Sequence, residues 1–235
     1  MIVFKKDKIP GRIEERPFHT FNIYLPCRAY GRTVYIIIDD EELRVEAATT
    51  HLLELSDYTV LNGAQIHLAG HVLTGKFMAP KDCIVFKNWT RSYKFKEDYL
   101  DSILAESDEL LQAYMKGDDS CAPKLLANLI DRWDAYNKPV ERRREEIRIL
   151  ADFWLANREL FRKWVEWYSG ISYDSAGAPD LFSWDPGTNN WCWVEAKAPG
   201  DRLHANQWRW INKFTKHIAP NVDIVNVLPE DYKEK

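Results

Sequence analysis

Alternating side chains predict a β-hairpin near the end of the chain. Residues 190–198 read Asn-Trp-Cys-Trp-Val-Glu-Ala-Lys-Ala, so Glu195 and Lys197 would share one face of a strand, about 7 Å apart. Asp185-Pro186-Gly187 predicts a tight turn from an earlier strand that begins near Asp180. The short connection makes the two strands antiparallel, and a register that places Asp180 beside Glu195 is plausible.

Helical spacing replaces this alternation immediately downstream. Asp201 is the predicted N-cap of a helix from Arg202 to about Ile218, with Gln207 one turn beyond Leu203. Leu203, Trp210, Ile211 and Phe214 would face the sheet. Residues 222–228 then predict a last strand. The order strand, strand, helix, strand favours a mixed sheet with helices against it.

The earlier chain is β-rich first and helical afterwards. Residues 1–45 contain β-branched and aromatic runs at 21–25 and 33–38. Val45 to Leu55 has helical spacing, 56–63 is a predicted break, and 64–74 is a second predicted helix. From 80 to 168 the chain is mainly helical and charged, and 141–168 is predicted to form one long helix or a kinked pair.

The charge balance excludes a strong positive field over the whole protein. Over 235 residues, 32 Lys and Arg stand against 36 Asp and Glu, for a net charge of −4. Any affinity for nucleic acid must therefore come from a local patch. Ten tryptophans are many for this length; most are expected in the core, and a minority could stack on bases.

Cysteine usage and the N-terminus favour an intracellular protein. Cys27, Cys83, Cys121 and Cys192 are far apart and form no Cys-x-x-Cys pair, which is typical of reduced, buried thiols rather than a zinc site or a disulfide frame. No signal peptide or membrane span is expected. We expect a cytoplasmic location in a bacterium or viral host, a nuclear one in a eukaryote, and no membrane partner.

Asp180, Glu195 and Lys197 together could form a hydrolytic site. Two carboxylates in one cleft would hold Mg²⁺ through oxygen ligands, and a lysine would place a cation beside the attacking water. The alternative is a turn-capping Asp180 and a surface Glu195–Lys197 ion pair on an edge strand.

For two other sets of polar residues we favour a structural interpretation over a functional one. His67 and His71 have the spacing of paired metal ligands, but no third ligand is evident, so packing or surface histidines are expected. Arg142, Arg143, Arg144 and Arg148 could grip phosphates. Because glutamates at 141, 145 and 146 interleave with them, we predict a solvent-exposed helix face with salt bridges rather than a DNA-binding groove.

The motifs Gly-x-Pro-Asp (177–180), Glu-Ala-Lys (195–197) and Gly-Asp-Arg-Leu-x-x-x-Gln-x-x-Trp (200–210) resemble the virus-type replication-repair nuclease (VRR-NUC) domain of the PD-(D/E)XK superfamily. Residues 32–38 and 45–52 are similar to the opening of the nuclease domain of Fanconi-associated nucleases. The resemblance implies an α/β, restriction-endonuclease-like mixed sheet flanked by helices. It also implies a β-rich segment over 1–45 and a nuclease domain over 46–235, with a helical insertion at 80–168 and a catalytic core at 170–228.

The resemblance assigns a role to each site residue. Asp180, Glu195 and the carbonyl of Ala196 would bind Mg²⁺ or Mn²⁺, Lys197 would orient or help deprotonate water, and Gln207 would position the lysine or the water. The implied activity is metal-dependent hydrolysis of DNA phosphodiesters in repair or replication. It would combine a 5′-flap or branched-DNA endonuclease with a 5′ exonuclease, and the insertion favours a monomer over a dimer that resolves four-way junctions.

One departure from the family pattern leaves alternatives open. The family places a further glutamate where this chain aligns Leu61 or Asn62, and neither is an anionic ligand. Glu46, Glu54 or Asp57 could reach the site instead, or a single metal could suffice. The chain could also be a weak or inactive nuclease-fold module that binds branched DNA, or an enzyme acting on a small phosphate ester. No Gly-rich phosphate loop supports the last alternative.

Overall fold

The computed structural model describes residues 1–30, 33–73, 109–128, 141–170 and 177–232. The chain divides into two compact units, one of Met1–Ala64 with Ala176–Lys235 and one of Gln65–Ser175. The predicted boundaries at 45, 80, 168 and 170 stay a prediction. Within the described residues, no helix is both long and apolar enough to span a bilayer.

The first unit contains nine strands and two complete helices among its described residues, and a third helix begins in it. The strands are β1 (Arg12–Arg16), β2 (Thr20–Leu25), β3 (Cys27–Tyr30), β4 (Thr33–Ile38), β5 (Glu41–Leu43), β6 (Thr59–Asn62), β7 (Leu181–Asp185), β8 (Asn190–Lys197) and β9 (Val222–Pro229). The helices are α1 (Val45–Leu55), α2 (Gly63–Leu73), which continues into the second unit, and α5 (Ala205–His217). The second unit contributes α3 (Glu141–Ala156) and α4 (Arg158–Gly170), and 109–115 and 122–128 are also helical.

Six strands form a mixed sheet in the order β1-β2-β9-β8-β7-β6. The β2–β9 and β8–β9 pairs are parallel, and the other neighbours are antiparallel. The predicted mixed α/β sheet with flanking helices is therefore confirmed. The β-rich N-terminal region contributes β1 and β2 to this sheet, while β3, β4 and β5 form a separate three-stranded sheet.

The two faces of β8 follow the predicted alternation. Cys192 and Val194 lie in a core cluster that also contains Leu52 of α1 and residues of β2 and β9. On the opposite face, the ring of Trp193 lies 5.0 Å from that of Trp210 on α5. Burial of such large apolar side chains stabilises the fold by about 1.5–3 kcal/mol each, so α5 is held over the face of β8 that carries the charged residues.

Two predicted boundaries are wrong. Helix α5 begins at Ala205 with His204 as its N-cap, whereas Asp201 lies in the preceding loop and accepts the Ala198 N–H at 3.3 Å. The predicted break at 56–63 contains β6, a four-residue strand that pairs antiparallel with β7. Its β-branched residues gain ladder hydrogen bonds from β7, which local sequence does not reveal.

The close approach of α2 to the residues just before β7 requires a glycine. The Gly63 N–H donates to the Asp180 carbonyl at 2.8 Å. A Cβ at Gly63 would lie 1.9 Å from the Pro179 carbonyl oxygen, which is impossible without backbone movement. The chain before Asp180 therefore rests directly on the first residue of α2.

The second unit is organised by buried aromatic side chains. Trp154 stacks on Phe161 at 4.8 Å and meets Trp164 edge-on at 5.6 Å. The predicted kinked pair over 141–168 corresponds to α3 and α4, which are separated at Asn157. Predicted helical residues at 80–108 and 129–140 lie outside the described residues.

The alternatives for the histidines and arginines are partly resolved. His67 is fully buried, and its Nδ1 lies 2.9 Å from the Tyr168 hydroxyl, so it packs in the protein core as expected. Arg148 forms an exposed ion pair with Glu145 at 3.4 Å. The side chains of His71 and of residues 141–144 lie outside the described residues.

The cysteines within the described residues are free thiols. They are Cys27, Cys121 and Cys192. Cys121 and Cys192 are buried, as predicted, and Cys27 is partly exposed. Cys83 lies outside the described residues.

Candidate active site

The hairpin register brings the two predicted carboxylates together. Leu181 opens β7 opposite Val194, so Asp180, one residue earlier, lies level with Glu195. The Asp180 carboxylate accepts the Ala196 N–H at 3.0 Å. Asp180 is therefore held just before the first residue of β7, where β8 continues past the start of that strand.

Lys197 and Glu195 form a buried ion pair. Lys197 Nζ lies 2.8 Å from Glu195 Oε1, and the two side chains are only 8% and 1% exposed. They lie on β8, which has β7 on one side and β9 on the other. The alternative of a surface ion pair on an edge strand is therefore wrong.

Gln207 bridges both members of this pair. Its Nε2 donates to Glu195 Oε1, while its Oε1 accepts from Lys197 Nζ at 3.2 Å. An amide has one donor end and one acceptor end, so this arrangement satisfies the carboxylate and the ammonium together. The predicted association of Gln207 with the lysine is present in the geometry.

The same glutamine starts its helix. Gln207 Oε1 also accepts the His204 N–H at 2.8 Å, and the His204 side chain accepts the Gln207 backbone N–H. This reciprocal pair is a capping box, with histidine in the place that serine or threonine usually takes. Sequence reasoning missed His204, although the glutamine three residues later was a usable signal.

The ionised form of Glu195 is disfavoured by its surroundings. Burial and, second, the Asp180 carboxylate raise the pKa of its carboxyl to about 7, although Lys197 opposes both effects. Glu195 Oε2 is buried and has no hydrogen-bond partner in the described structure. Buried polar oxygens normally have a partner, so this one is a candidate for a ligand.

Glu46 is a further acidic residue whose charge interacts with Asp180. It stands in the first turn of α1 and remains exposed. The pKa of its carboxyl is nevertheless raised, first by nearby protein that withdraws water and second by the Asp180 carboxylate. Glu46 is thus close enough to Asp180 for their charges to interact.

The other positions considered for a third acid are occupied differently. Asp57 forms ion pairs with Lys5 and Lys8. Leu61 is buried at 2% exposure, and Asn62 ends β6. Of the three acidic residues considered, Glu46 is the one whose charge interacts with Asp180, whereas Glu54 lies at the other end of α1.

The donor set suits a hard divalent cation. Asp180 and Glu195 offer carboxylate oxygens, which Mg²⁺ and Mn²⁺ prefer. The Ala196 N–H faces Asp180. In an extended strand the carbonyl of the same residue points to the same side, so it lies beyond Leu181, the first residue of β7. Among the described residues, no group of three or more His, Cys, Asp and Glu side chains has the spacing of a metal site. Two carboxylates and one carbonyl are therefore the set that the geometry supports directly.

Comparison with known proteins supports the resemblance seen in the sequence. The family model described as the VRR-NUC domain matches residues 154–228, which include every residue of the site except Glu46. No curated protein sequence matches the chain significantly.

Two solved structures share the fold. A crystal structure of paFAN1 bound to DNA with a 2-nucleotide 5′ flap and a gap has a TM-score of 0.54 and 19% identity, covering 96% of this chain and 40% of that one. Another, with a 1-nucleotide 5′ flap, has a TM-score of 0.50 and 19% identity, covering 89% and 37%. This chain therefore spans about two fifths of the length of those proteins. The predicted nuclease-type α/β fold is confirmed.

We predict that His204, and not Asp201, caps α5. His204→Ala should lower the free energy of unfolding by about 1 kcal/mol, because the Gln207 N–H loses its acceptor. His204→Asn should restore most of this stability, since asparagine is a good N-cap. Urea unfolding followed by circular dichroism measures the difference. Asp201→Ala is the matched control, and a larger loss there than in His204→Ala would contradict the assignment.

We predict that Glu195 makes the metal-free protein less stable as the pH rises. Its pKa is raised in the folded state, so its stabilising effect is complete below about pH 4.5, where the unfolded chain is also protonated, and is lost by about pH 7. Glu195→Gln cannot ionise and should lack this loss. In EDTA, the free energy of unfolding of the variant minus that of the wild type should therefore rise between these pH values and then level off. A difference that stays constant with pH would contradict the raised pKa.

Proposed function

We propose that this protein is a metal-dependent nuclease that hydrolyses phosphodiester bonds of DNA. One observation supports this most directly. The buried Lys197–Glu195–Gln207 network lies beside Asp180 within the segment that matches the VRR-NUC model. A buried ion pair is costly and weak evidence for stability by itself, so its retention at a sheet end favours a chemical role.

Asp180, Glu195 and the Ala196 carbonyl would hold Mg²⁺ or Mn²⁺, and Glu46 would complete the acidic set. When bound, such a cation polarises a phosphoryl oxygen and lowers the pKa of a coordinated water. The unpaired Oε2 of Glu195 is the oxygen that would gain a partner. Because the cation would stabilise the ionised form of Glu195, metal binding would also lower the pKa of this carboxyl.

Lys197 would act on the attacking water. Its ammonium donates towards Glu195 and Gln207, which leaves one N–H for an incoming oxygen. A hydrogen bond from this group would orient the water for in-line attack and would favour the negative charge that develops on the phosphate. The water oxygen then bonds to phosphorus and gives up one proton as the bond to the leaving oxygen breaks, and the leaving oxygen takes up one proton.

We further propose selectivity for branched DNA, with 5′-flap endonuclease and 5′ exonuclease activity in repair or replication, by a monomer. The support is the paFAN1 structures, which hold 5′-flap DNA and share this fold at low identity. The competing functions are a nuclease-fold module that binds DNA without cutting it and a resolvase of four-way junctions.

The decisive experiment is cleavage of end-labelled single-stranded, duplex, 5′-flap, 3′-flap and four-way-junction DNA, with Mg²⁺, Mn²⁺ or EDTA. We expect metal-dependent cutting of the 5′ flap that falls about a hundredfold or more in Lys197→Ala and Glu195→Gln. Lys6→Ala, at an exposed lysine, is the control and should cut normally. Circular dichroism must show that both site variants are folded, since Lys197→Ala leaves Glu195 without its buried partner.

Other outcomes of this experiment identify the competing functions. Preference for the four-way junction would indicate a resolvase. If the wild type binds these DNAs but cuts none of them, the protein is a binding module. Cutting that survives in folded Lys197→Ala would remove the lysine from the mechanism.

Glu46 can be tested separately as the third acidic group. We expect Glu46→Gln to raise the Mg²⁺ concentration needed for half-maximal cleavage by about 10- to 100-fold, because a carboxylate next to Asp180 is lost. Glu54→Gln, an exposed glutamate on the same helix, is the matched control. Equal Mg²⁺ dependence in Glu46→Gln and the wild type would show that Glu46 takes no part in metal binding.

A further inference from the structure

The solvent-facing side of α5 differs in charge from the protein as a whole. From residue 202 to residue 222 the sequence contains no aspartate or glutamate, although the chain carries a net charge of −4. Arg202, Arg209, Lys213 and Lys216 lie in this stretch, and all four are exposed. None of them forms a salt bridge with a described carboxylate, so their charges face solvent. A local patch of the kind that the overall charge requires for nucleic-acid binding is therefore present.

An exposed tryptophan lies within this patch. Trp208 is 50% exposed. The other tryptophans with described side chains are buried: Trp154, Trp164, Trp167, Trp184, Trp191, Trp193 and Trp210. Burial of an indole is strongly favourable. The half-exposed Trp208 therefore contributes less to the stability of the fold than a buried tryptophan does.

The aromatic and basic residues form adjoining rows on the helix. Trp208, Asn212 and Lys216 are spaced four apart, and so are Arg209 and Lys213. These five residues are exposed and define the α5 outer surface. The opposite side of the helix buries Trp210, Ile211 and Phe214 against the sheet.

This surface adjoins the candidate active site. Trp208 directly follows Gln207, whose side chain contacts Glu195 and Lys197. Arg202 and His204 precede it in the loop that leads from Lys197 into the helix. The first turn of α5 therefore lies beside Lys197, since Gln207 in that turn contacts the lysine.

We propose that the α5 outer surface binds single-stranded DNA, with a base stacked on Trp208 and phosphates held by Arg209, Lys213 and Lys216. An aromatic platform beside basic side chains is the combination that binds unpaired strands, because an unpaired base exposes its face whereas duplex bases are already stacked on each other. That this strand belongs to the substrate of the active site rests on the proposed nuclease function. The unpaired part of a flap is the class of substrate that this surface fits.

The test is fluorescence anisotropy of a labelled single-stranded oligonucleotide and of its duplex, with the full chain in EDTA so that no cleavage occurs. Trp208→Ala should weaken single-strand binding about tenfold and duplex binding much less, because one base stack is lost. Trp208→Phe should retain most of the affinity. Tyr232→Ala, at another exposed aromatic residue, is the matched control and should bind as the wild type does.

Charge variants test the phosphate contacts. Lys213→Glu should weaken binding of both DNAs and reduce the dependence of affinity on salt concentration. Lys6→Glu makes the same charge change at an exposed lysine near the N-terminus and should leave affinity nearly unchanged. Equal loss in the two charge variants would overturn the phosphate contacts on α5.

Two results would overturn the stacking platform. One is unchanged single-strand affinity in Trp208→Ala, and the other is a wild type that does not bind single strands. Trp208-dependent binding by a protein that cuts no DNA would refute the nuclease and leave this surface established. Normal flap cleavage and normal single-strand affinity in Trp208→Ala would refute the surface and leave the nuclease standing.

Discussion

The buried ion pair between Lys197 and Glu195 is the constraint on which the rest of the site depends. Charges this deeply buried lose their hydration, and their mutual attraction compensates only when further hydrogen bonds satisfy both groups. Gln207 provides those bonds, and it can do so only from the first turn of α5. The contact of Trp193 with Trp210 holds that helix over β8. Apolar packing on this face therefore determines the geometry of the polar network.

The acidic side of the site is less well satisfied than the basic side. Asp180 is held beside Glu195 by the Ala196 N–H, so two carboxylates face each other in a partly dehydrated space. The pKa of Glu195 rises to about 7 because the folded protein supplies too little positive charge to offset this repulsion and burial. Glu46 adds a third carboxylate near Asp180. Such a group is unfavourable in the isolated protein and would become favourable if a cation bound, as expected for a binding site that gives up some stability.

Much of this arrangement was predictable because it depends on local periodicity. Two-residue alternation assigned Glu195 and Lys197 to one face of β8. The short turn allowed the register that brings Asp180 alongside, and the structure has that register. Helical spacing gave α1 its observed limits, Val45–Leu55. The VRR-NUC resemblance added Gln207, which periodicity alone would not have distinguished.

The features that sequence reasoning missed depend on long-range contacts. Strand β6 is only four residues long and exists because β7 pairs with it. His204 replaces Asp201 as the cap of α5 because Gln207 is already fixed by the ion pair and returns a hydrogen bond to the His204 N–H. Glu46 was only one of three acidic candidates in the sequence, since its nearness to Asp180 arises from the packing of α1 against the sheet. In each case tertiary structure selected one of several locally acceptable choices.

Helix α5 would link the proposed chemistry to the proposed strand binding, because its consecutive residues lie in different surroundings. Gln207 points towards Glu195 and Lys197, whereas Trp208, one residue and about 100° further around the helix, is half exposed. The buried face of the helix fixes both side chains together, so a strand stacked on Trp208 would have a defined position relative to Lys197. A single rigid helix would thus align an unpaired strand with the attacking water. Strand binding at a fixed distance from Lys197 would be a physical reason for an exposed tryptophan at a position where a polar side chain would be better solvated.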